Sequence, residues 1–555
     1  MVTVTTRKRL GAALAVVAAV LVAAACSSSP SGGAPSGGAP SGGGSASATS
    51  SGGIPVNPEA TGAIKPGGSV TTYVGQQIFG FDPAQAGVPQ YGAQGAAAEA
   101  LYDMLFYVNS DNQVEPELGQ SMTPVAGTGC KTWDMTLKSG ITFTDGTPLN
   151  AAAVQYNYER ILNPKTASGL AAPIAGDTFT VKSPLVLQIG LTAPNCEFNV
   201  LVANNYTFIG SPTAMKKWGA NYFAHPVGAG PFVLSSWQRS AGIAVMVKNP
   251  HYWQPGEPYL DKLTIIYASN ATTAMDALLS GQAQLMPPTG DSSQYDQALS
   301  AGLSTWEQTL NGGTAMQFNF REAPFNHLCA REAVAYGINP AGLVAATDNS
   351  KYLNGVASTI FEPGSPFYDP SIKFPSYDPA KAAQLASQCA AQGAPLTFNL
   401  VAYAGLDNSA GQYIQSALNA IPGFKVTLKL ESIAQAATAV AEDHAFGMTP
   451  YPGSMFFGDP VPPFNDWLYT NGELNITGYS SAQMDAALNA GDSTLSESAR
   501  KAAYETVQQL WVRDLPFWMY GKAYYYFLFA KNLTGINPVN PGNELLLFNK
   551  VGYVS

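Results

Sequence analysis

The 555-residue sequence predicts a mixed α/β fold on three observations. From Gly68 onward strand-like and helix-like segments alternate, no 20–50-residue unit repeats, and 46% apolar residues stand against 12% charged ones. Such alternation favours sheets covered by helices around buried cores. With 11% aromatic residues, the chain as a whole is too apolar to remain unfolded. The length allows three or four domain-sized units or fewer large ones. A formal charge of −10, from 27 Lys+Arg against 37 Asp+Glu, disfavours a nucleic-acid groove or a polybasic membrane patch.

The first element is an address. Arg7, Lys8 and Arg9 precede a 16-residue apolar run, Leu10 to Ala25. That run is shorter than the roughly 20 residues a membrane-crossing helix needs, so residues 1–25 read as an export signal. It ends in Val22-Ala23-Ala24-Ala25-Cys26, which resembles the lipobox of bacterial lipoproteins, with Ala23 where Leu is usual. The resemblance implies a diacylglycerol on the Cys26 thiol and cleavage just before it; Ala23-x-Ala25 also fits a soluble-release site. Ser27 to Gly53 contains only Ser, Gly, Ala, Pro and Thr, with PSGGA repeated at Pro30 and Pro35. This composition buries no core and reads, through residue 67, as a tether. About 40 residues of such coil span roughly 35 Å, enough to stand a folded body off a membrane.

The folded part follows from local chemistry. Asn150 caps a helix from Ala151 to Leu162, with Val154, Tyr158, Ile161 and Leu162 on one face. Asn270 caps a second through Ser280, stopped by Gly281. Asp378-Pro379 opens a third in the favoured N-cap and N1 order, ended by Gly393, and Ser498 to Asp514 is a fourth, closed by Pro516. Strands fall at Trp133–Leu137, Val186–Leu191, Ile243–Val247, Leu263–Tyr267, Leu396–Ala402 and Val426–Leu430. Four exported cysteines, Cys130, Cys196, Cys329 and Cys389, favour two disulfides, with three pairings open. Their spacing matches no zinc pattern.

Ala98 to Asp103 with Leu105, Glu115-Pro116-Glu117-Leu118-Gly119, and the most specific block, Trp133 through Asn150, resemble blocks of the family 5 (peptide/nickel-type) solute-binding proteins of ABC importers. Pro226-Val227-Gly228-Ala229-Gly230-Pro231-Phe232 is similar to the family's G-T-G-P-Y turn, with Ala229 replacing Thr. Asn249-Pro250-x-Tyr252-Trp253, Pro258 to Lys262, Pro324-Phe325, Arg331 to Asn339, Tyr377 to Ala382, Gly478-Tyr479-Ser480 with Met484-Asp485, and Arg500 through Pro516 follow in order. The resemblance runs from about Gly68 to the C-terminus. Its turns and helix starts also have plain structural explanations, so the function it implies is carried by analogy.

The resemblance implies a two-lobed periplasmic-binding-protein-like fold of the peptide-binding type, with a subdomain grafted onto lobe one. Transferred here, lobe one comprises residues 68–98, 226–310 and 521–555, the inserted subdomain 99–225, and lobe two 311–520. Hinges fall near Asn311–Thr314 and Tyr520–Lys522, and the layout pairs Cys130 with Cys196 and Cys329 with Cys389. A small solute, peptide or peptide-like, is expected in the interlobe cleft for delivery to ABC permease subunits by a monomer at the outer face of the cytoplasmic membrane, held there by Cys26.

Gln76, Gln77 and Phe79 match the family's first wall segment. Peptide-binding members place on the second wall a Trp and, three residues on, an Asp that pairs with the peptide's amino terminus. Counting from Phe446 to Pro460 without gaps puts Gly453 and Phe456 at those positions, and Phe cannot partner a buried ammonium. The stretch then lines an apolar pocket contacted by Tyr451, Ser454, Met455 and Phe456; a shift of a few residues instead makes Asp459 the amine anchor.

Enzyme readings lack their residues. The four histidines form no HExxH or close pair, and no G-x-S-x-G elbow or P-loop occurs, so neither a metal nor a cofactor is expected and nickel is disfavoured. A secreted glycosidase needs only two carboxylates and stays open as an alternative, as does a surface sensor or ligand buffer without transport.

Overall fold

The computed structural model describes residues 48–49, 53–85, 92–288, 291–450, 455–461, 463–543 and 545–554. The signal segment, Cys26 and nearly all of the Ser/Gly/Pro run lie outside them.

Local signals become elements at the residues that carry them. The Asn150 side chain accepts from Ala153 N at 3.0 Å and starts the helix Ala151–Leu162. Asn270 accepts from Thr273 N at 2.8 Å ahead of Ala271–Leu279. Asp378 accepts from Lys381 N at 2.9 Å ahead of Pro379–Ala391. The helix Glu497–Asp514 ends on Leu515, which takes a left-handed conformation just before Pro516. The chain also docks earlier than its composition suggests. Ile54 is buried beside Leu278, Tyr295, Leu353 and Tyr526, and the Asn57 amide donates to the carbonyls of Leu299 and Leu303. Ala48 and Thr49 pair with Val56 and Pro55 in a short antiparallel ladder that leads into this docked segment.

Among the described residues, the three largest buried clusters form the main cores. One gathers Val70, Leu263, Ile265, Phe527 and Leu546. A second holds Met316, Val334, Leu400, Trp511 and Trp518. A third, with Trp133, Leu137, Tyr158, Ile189 and Val202, surrounds a four-stranded sheet in the order Gly119–Pro124, Thr132–Leu137, Val186–Gly190, Thr178–Ser183. They correspond broadly to the expected lobe one, lobe two and inserted subdomain, although Ala100, Leu101, Tyr102, Met104 and Phe208 pack in the first core and Ala84 and Ala229 in the third. Cys130 is joined to Cys196 inside the subdomain and Cys329 to Cys389 inside lobe two.

A main sheet runs through both lobes. Three of its segments decide how the lobes connect: β1 (Ser304–Phe318), β2 (Met455–Phe457) and β3 (Phe517–Phe529). On the lobe-one side lie Phe232–Gln238, Ile243–Lys248, Lys262–Tyr267, Ser69–Val74 and Leu285–Met286, which meets β3; β3 pairs β1, and beyond β1 follow Met448–Pro450, Leu396–Tyr403 and Phe424–Glu431 in lobe two. β1 and β3 are antiparallel from Ser304↔Phe529 to Leu310↔Ala523, then again from Thr314↔Gly521 to Gln317↔Phe517. In the gap, Asn311, Gly312 and Gly313 pair instead with Phe457, Phe456 and Met455 of β2. Both glycines have positive φ, +90° and +159°. A Cβ at Gly312 would run into the Met455 carbonyl oxygen, and one at Gly313 into that of Gly521.

Replacing Gly312 by Ala therefore forces backbone apart at the point where three strands meet. Gly312→Ala is expected to destabilise the protein by about 2 kcal/mol or more. Urea unfolding followed by Trp fluorescence reads this as a lower midpoint with an unchanged slope.

Candidate functional site

The first wall is the loop leaving the strand Ser69–Val74. Ile78 and Phe81 are buried in the lobe-one core, and Phe81 packs edge-on against Trp237 with centroids 5.0 Å apart. Asp82 anchors the loop's far end on Arg160 of the inserted subdomain, Oδ1 to Nη1 at 2.6 Å. Between these fixed points Gln77 donates to the Arg239 carbonyl at 2.7 Å, and the Phe79 amide donates to Gln94 Oε1 at 2.9 Å. Gln76 is half-buried. Phe79 is 54% exposed, an aromatic ring presented to solvent on a tethered loop.

The second wall differs from its sequence reading. Successive side chains of a strand point to opposite faces. In β2, Met455 and Phe457 enter the lobe-two core, whereas Phe456 packs against the lobe-one core, its ring touching Gly542. Met455 has no exposed surface, and Phe456 is partly buried against the lobe-one core. Tyr451 and Ser454 lie outside the described residues.

Asp459 is spoken for by a protein cation. Arg500 Nη2 donates to its Oδ1 and Oδ2 at 2.6 and 2.7 Å, and the Asp459 side chain is only 11% exposed. Its Oδ1 also accepts from Val461 N at 2.9 Å. Arg500 Nη1 reaches Glu197 of the inserted subdomain at 3.3 Å, and its guanidinium lies over the Phe367 and Tyr504 rings at 5.1 and 5.5 Å. Asp492 stands behind, accepting from the Tyr504 hydroxyl at 2.8 Å and from the Asn465 amide. Burial works against the charge on Arg500, but Asp459 and Glu197 outweigh it and hold the guanidinium above its usual range. Burial pushes the Glu197 carboxyl up to about 7; Asp459 adds to the rise and Arg500 opposes it. Arg500 opens one of the blocks that carry the family resemblance, but nothing in the sequence pairs it with Glu197, an ordinary charged residue until the fold joins them.

A second polar seam joins the inserted subdomain to lobe one. Glu99, Asp103 and Glu117 are buried; they accept from Phe548 N at 3.1 Å, Trp253 Nε1 at 2.6 Å and Met104 N at 2.8 Å. Burial raises all three carboxyls, Glu117 to about 7 against the pull of Met104 N and Lys138. Glu117, Lys138, Trp253, Glu257, Asn549 and Lys550 border an adjoining pocket of about 380 Å³. Among the described residues, no group of three or more His, Cys, Asp or Glu is arranged to hold a metal ion, and no helix is long and apolar enough to cross a membrane.

Residues 113–475 match the profile of a family described as bacterial extracellular solute-binding proteins, family 5 Middle. The glutathione-binding protein GsiB of Salmonella typhi is 28% identical over 464 residues, 79% of this chain and 86% of that protein. Among solved structures, the ABC transporter substrate binding protein CtaP of Listeria monocytogenes superposes with a TM-score of 0.75 at 18% identity, covering 88% of this chain and 100% of that one. The oligopeptide-binding protein AppA of Bacillus subtilis, in complex with a nonapeptide, gives 0.69 at 18% identity over 89% and 100%. At these identities the two structures establish the shared fold.

The raised carboxyls set a pH dependence of stability. Burial lifts Glu117 to about 7, burial with Glu473 lifts Asp466 to about 7, and burial lifts Asp407 to about 6. Between the ordinary carboxyl range and these values, the folded chain binds more protons than the unfolded one. Stability is therefore fully present below about pH 4 and is lost as pH rises through 6 to 7. The urea midpoint is expected to be higher at pH 5.5 than at pH 8, and Glu117→Gln is expected to shrink that difference.

Proposed function

Because the chain belongs to the family 5 bacterial extracellular solute-binding proteins, we propose that it captures a peptide or peptide-like solute between its lobes and hands it to the permease of an ABC importer. It is a binding protein, not an enzyme. The observation that carries the reading is the pair of strands β1 and β3. They run through both lobes and are interrupted together at Asn311–Gly313, which supports a hinge and a cleft that shuts on its cargo. Burial of the solute by both walls supplies the affinity, and its preference for the shut form shifts the population toward the state a permease recognises.

The side chains narrow the solute. Phe79 offers an exposed ring for an apolar or aromatic group. Asp459 already holds Arg500, so a solute ammonium finds no free carboxylate there. The solute is read as bound through apolar and neutral polar groups, and a peptide whose amine is blocked fits as well as a free one. The relative named for glutathione supports a peptide-like cargo. The lipobox-like segment supports attachment through a lipid on Cys26.

A thermal-shift panel of glutathione, short peptides, their N-acetylated forms, aromatic compounds and sugars tests this. A peptide at a hundred times its Kd should add about 2.7 kcal/mol of stability. N-acetylation is expected to leave affinity nearly unchanged, and Phe79→Ala to weaken it roughly tenfold through the lost ring contact. A response to sugars alone, or strict dependence on a free amine and on Asp459, would overturn the reading. Palmitate labelling of cells making the protein is expected for the wild type and absent in Cys26→Ala; an unlabelled wild type would make the protein a released one.

A further inference from the structure

The inserted subdomain touches lobe two as well as lobe one, and one of these contacts is made by a braced edge. Residues 195–197 are held to the strand Thr132–Leu137 by the Cys130–Cys196 disulfide. The Trp133 indole adds to that hold, donating to the carbonyls of Cys130 and Asn195 at 3.2 and 3.1 Å. From this braced edge the Cys196 amide donates to the Asp492 carbonyl at 2.7 Å, and Glu197 Oε1 meets Arg500 Nη1 at 3.3 Å. Both partners belong to lobe two. Arg500 is fixed there by Asp459 and by the Phe367 and Tyr504 rings, so the receiving half of the contact exists without the subdomain. The Asn112 side chain of the subdomain also lies against Gly458 of lobe two. A seam made of polar contacts of this kind separates in water far more readily than an apolar one.

We propose that Cys196–Glu197 of the inserted subdomain and the Asp459–Arg500 pair of lobe two form a clasp that engages when the lobes close. It rests on the reading of a cleft that opens and shuts, and it gives the inserted subdomain a role in that motion. The charges facing Glu197 decide its pH dependence. Asp459 comes from the segment after β2, Asp492 from the end of the helix Ala482–Asp492, and Arg500 with the Tyr504 hydroxyl from the helix Glu497–Asp514. Two carboxylates oppose one guanidinium, and burial adds to the opposition. In the open form Glu197 meets water and returns to the ordinary carboxyl range, near 4.3. The shut form holds its carboxyl near 7. Closing therefore takes up a proton between those values, and acidification favours the shut form.

The test uses spin labels at Val181→Cys in the subdomain and Leu495→Cys in lobe two, both exposed, with distances read by double electron–electron resonance on the full lipidated chain without added solute. The ratio of shut to open populations is expected to rise roughly thirtyfold between pH 8.5 and pH 5.5. Glu197→Gln should abolish that pH dependence and stay shut at pH 8.5. Glu197→Ala should lose much of the shut population at pH 5.5 with an unchanged melting midpoint in the open form. A wild-type distribution that ignores pH, or a Glu197→Ala variant that closes like the wild type, would overturn the clasp. An intact clasp in a protein that answers to no peptide would count against the solute reading alone.

Discussion

Two strands have to belong to both lobes at once, and the rest of the architecture answers to that. A continuous β ladder from Ser304 to Phe318 would weld the lobes into one slab, because the alternate residues of β1 that face β3 would all be hydrogen-bonded to it. The chain avoids this by changing partners. For three residues β1 leaves β3 and bonds to β2, so its amides and carbonyls stay satisfied while the register is broken. Glycines are required at the switch because the approaching carbonyl oxygens occupy the space a Cβ would fill. A strap from lobe two then crosses the joint. Gly312 N donates to Ile360 O at 2.9 Å, Ala357 N to Tyr520 O at 3.1 Å and Lys522 N to Gly355 O at 2.8 Å. Lys522 pairs with Glu362, whose amide donates to the Asn311 side chain at 2.9 Å. Bending is thereby confined to a few residues, which favours rotation of rigid bodies over general softness.

The same joint explains why the second wall resisted a contiguous count. A three-residue strand that pairs at the partner switch must send alternate side chains into different lobes. Met455 and Phe457 go one way and Phe456 the other. Counting forward from a family motif treats the stretch as one wall, but its alternation makes it a rivet between two cores. Asp459, two residues beyond β2, is paired with Arg500.

What was legible in the sequence was local. Asn150, Asn270 and Asp378 announce helix starts because their side chains reach an amide three residues on, a bond that needs no tertiary context. The hinge near Asn311–Thr314 comes only with the family resemblance, and the paired glycines there are explained by the carbonyl oxygens that crowd them. The Arg500 network was not legible, because Glu197, Asp459, Asp492 and Arg500 lie on four separate segments and carry no pattern until the topology gathers them. The docking of Asn57 under Leu299 and Leu303 was missed for the opposite reason, since a Ser/Gly/Pro run directly before it masks the change at Ile54.

The inserted subdomain makes unequal attachments to its two neighbours, and the inequality determines what can move. Toward lobe one it is joined by buried groups. Asp103 takes the Trp253 indole, the Tyr102 hydroxyl donates to the Phe81 carbonyl, Asp82 grips Arg160, and Gly228 and Gly230 lie against the backbone of Leu101 and Tyr102. Opening that seam would leave several buried polar groups without partners, each at a cost of about 1–3 kcal/mol. Toward lobe two the subdomain offers one amide, one carboxylate and a few polar neighbours. Under strain the second seam parts long before the first. The inserted subdomain therefore travels with lobe one as a single body, extending that lobe until its braced edge meets Arg500. A small rotation at Gly312–Gly313 is enough to make or break that remote contact, so the state of the hinge is reported at the Glu197 edge.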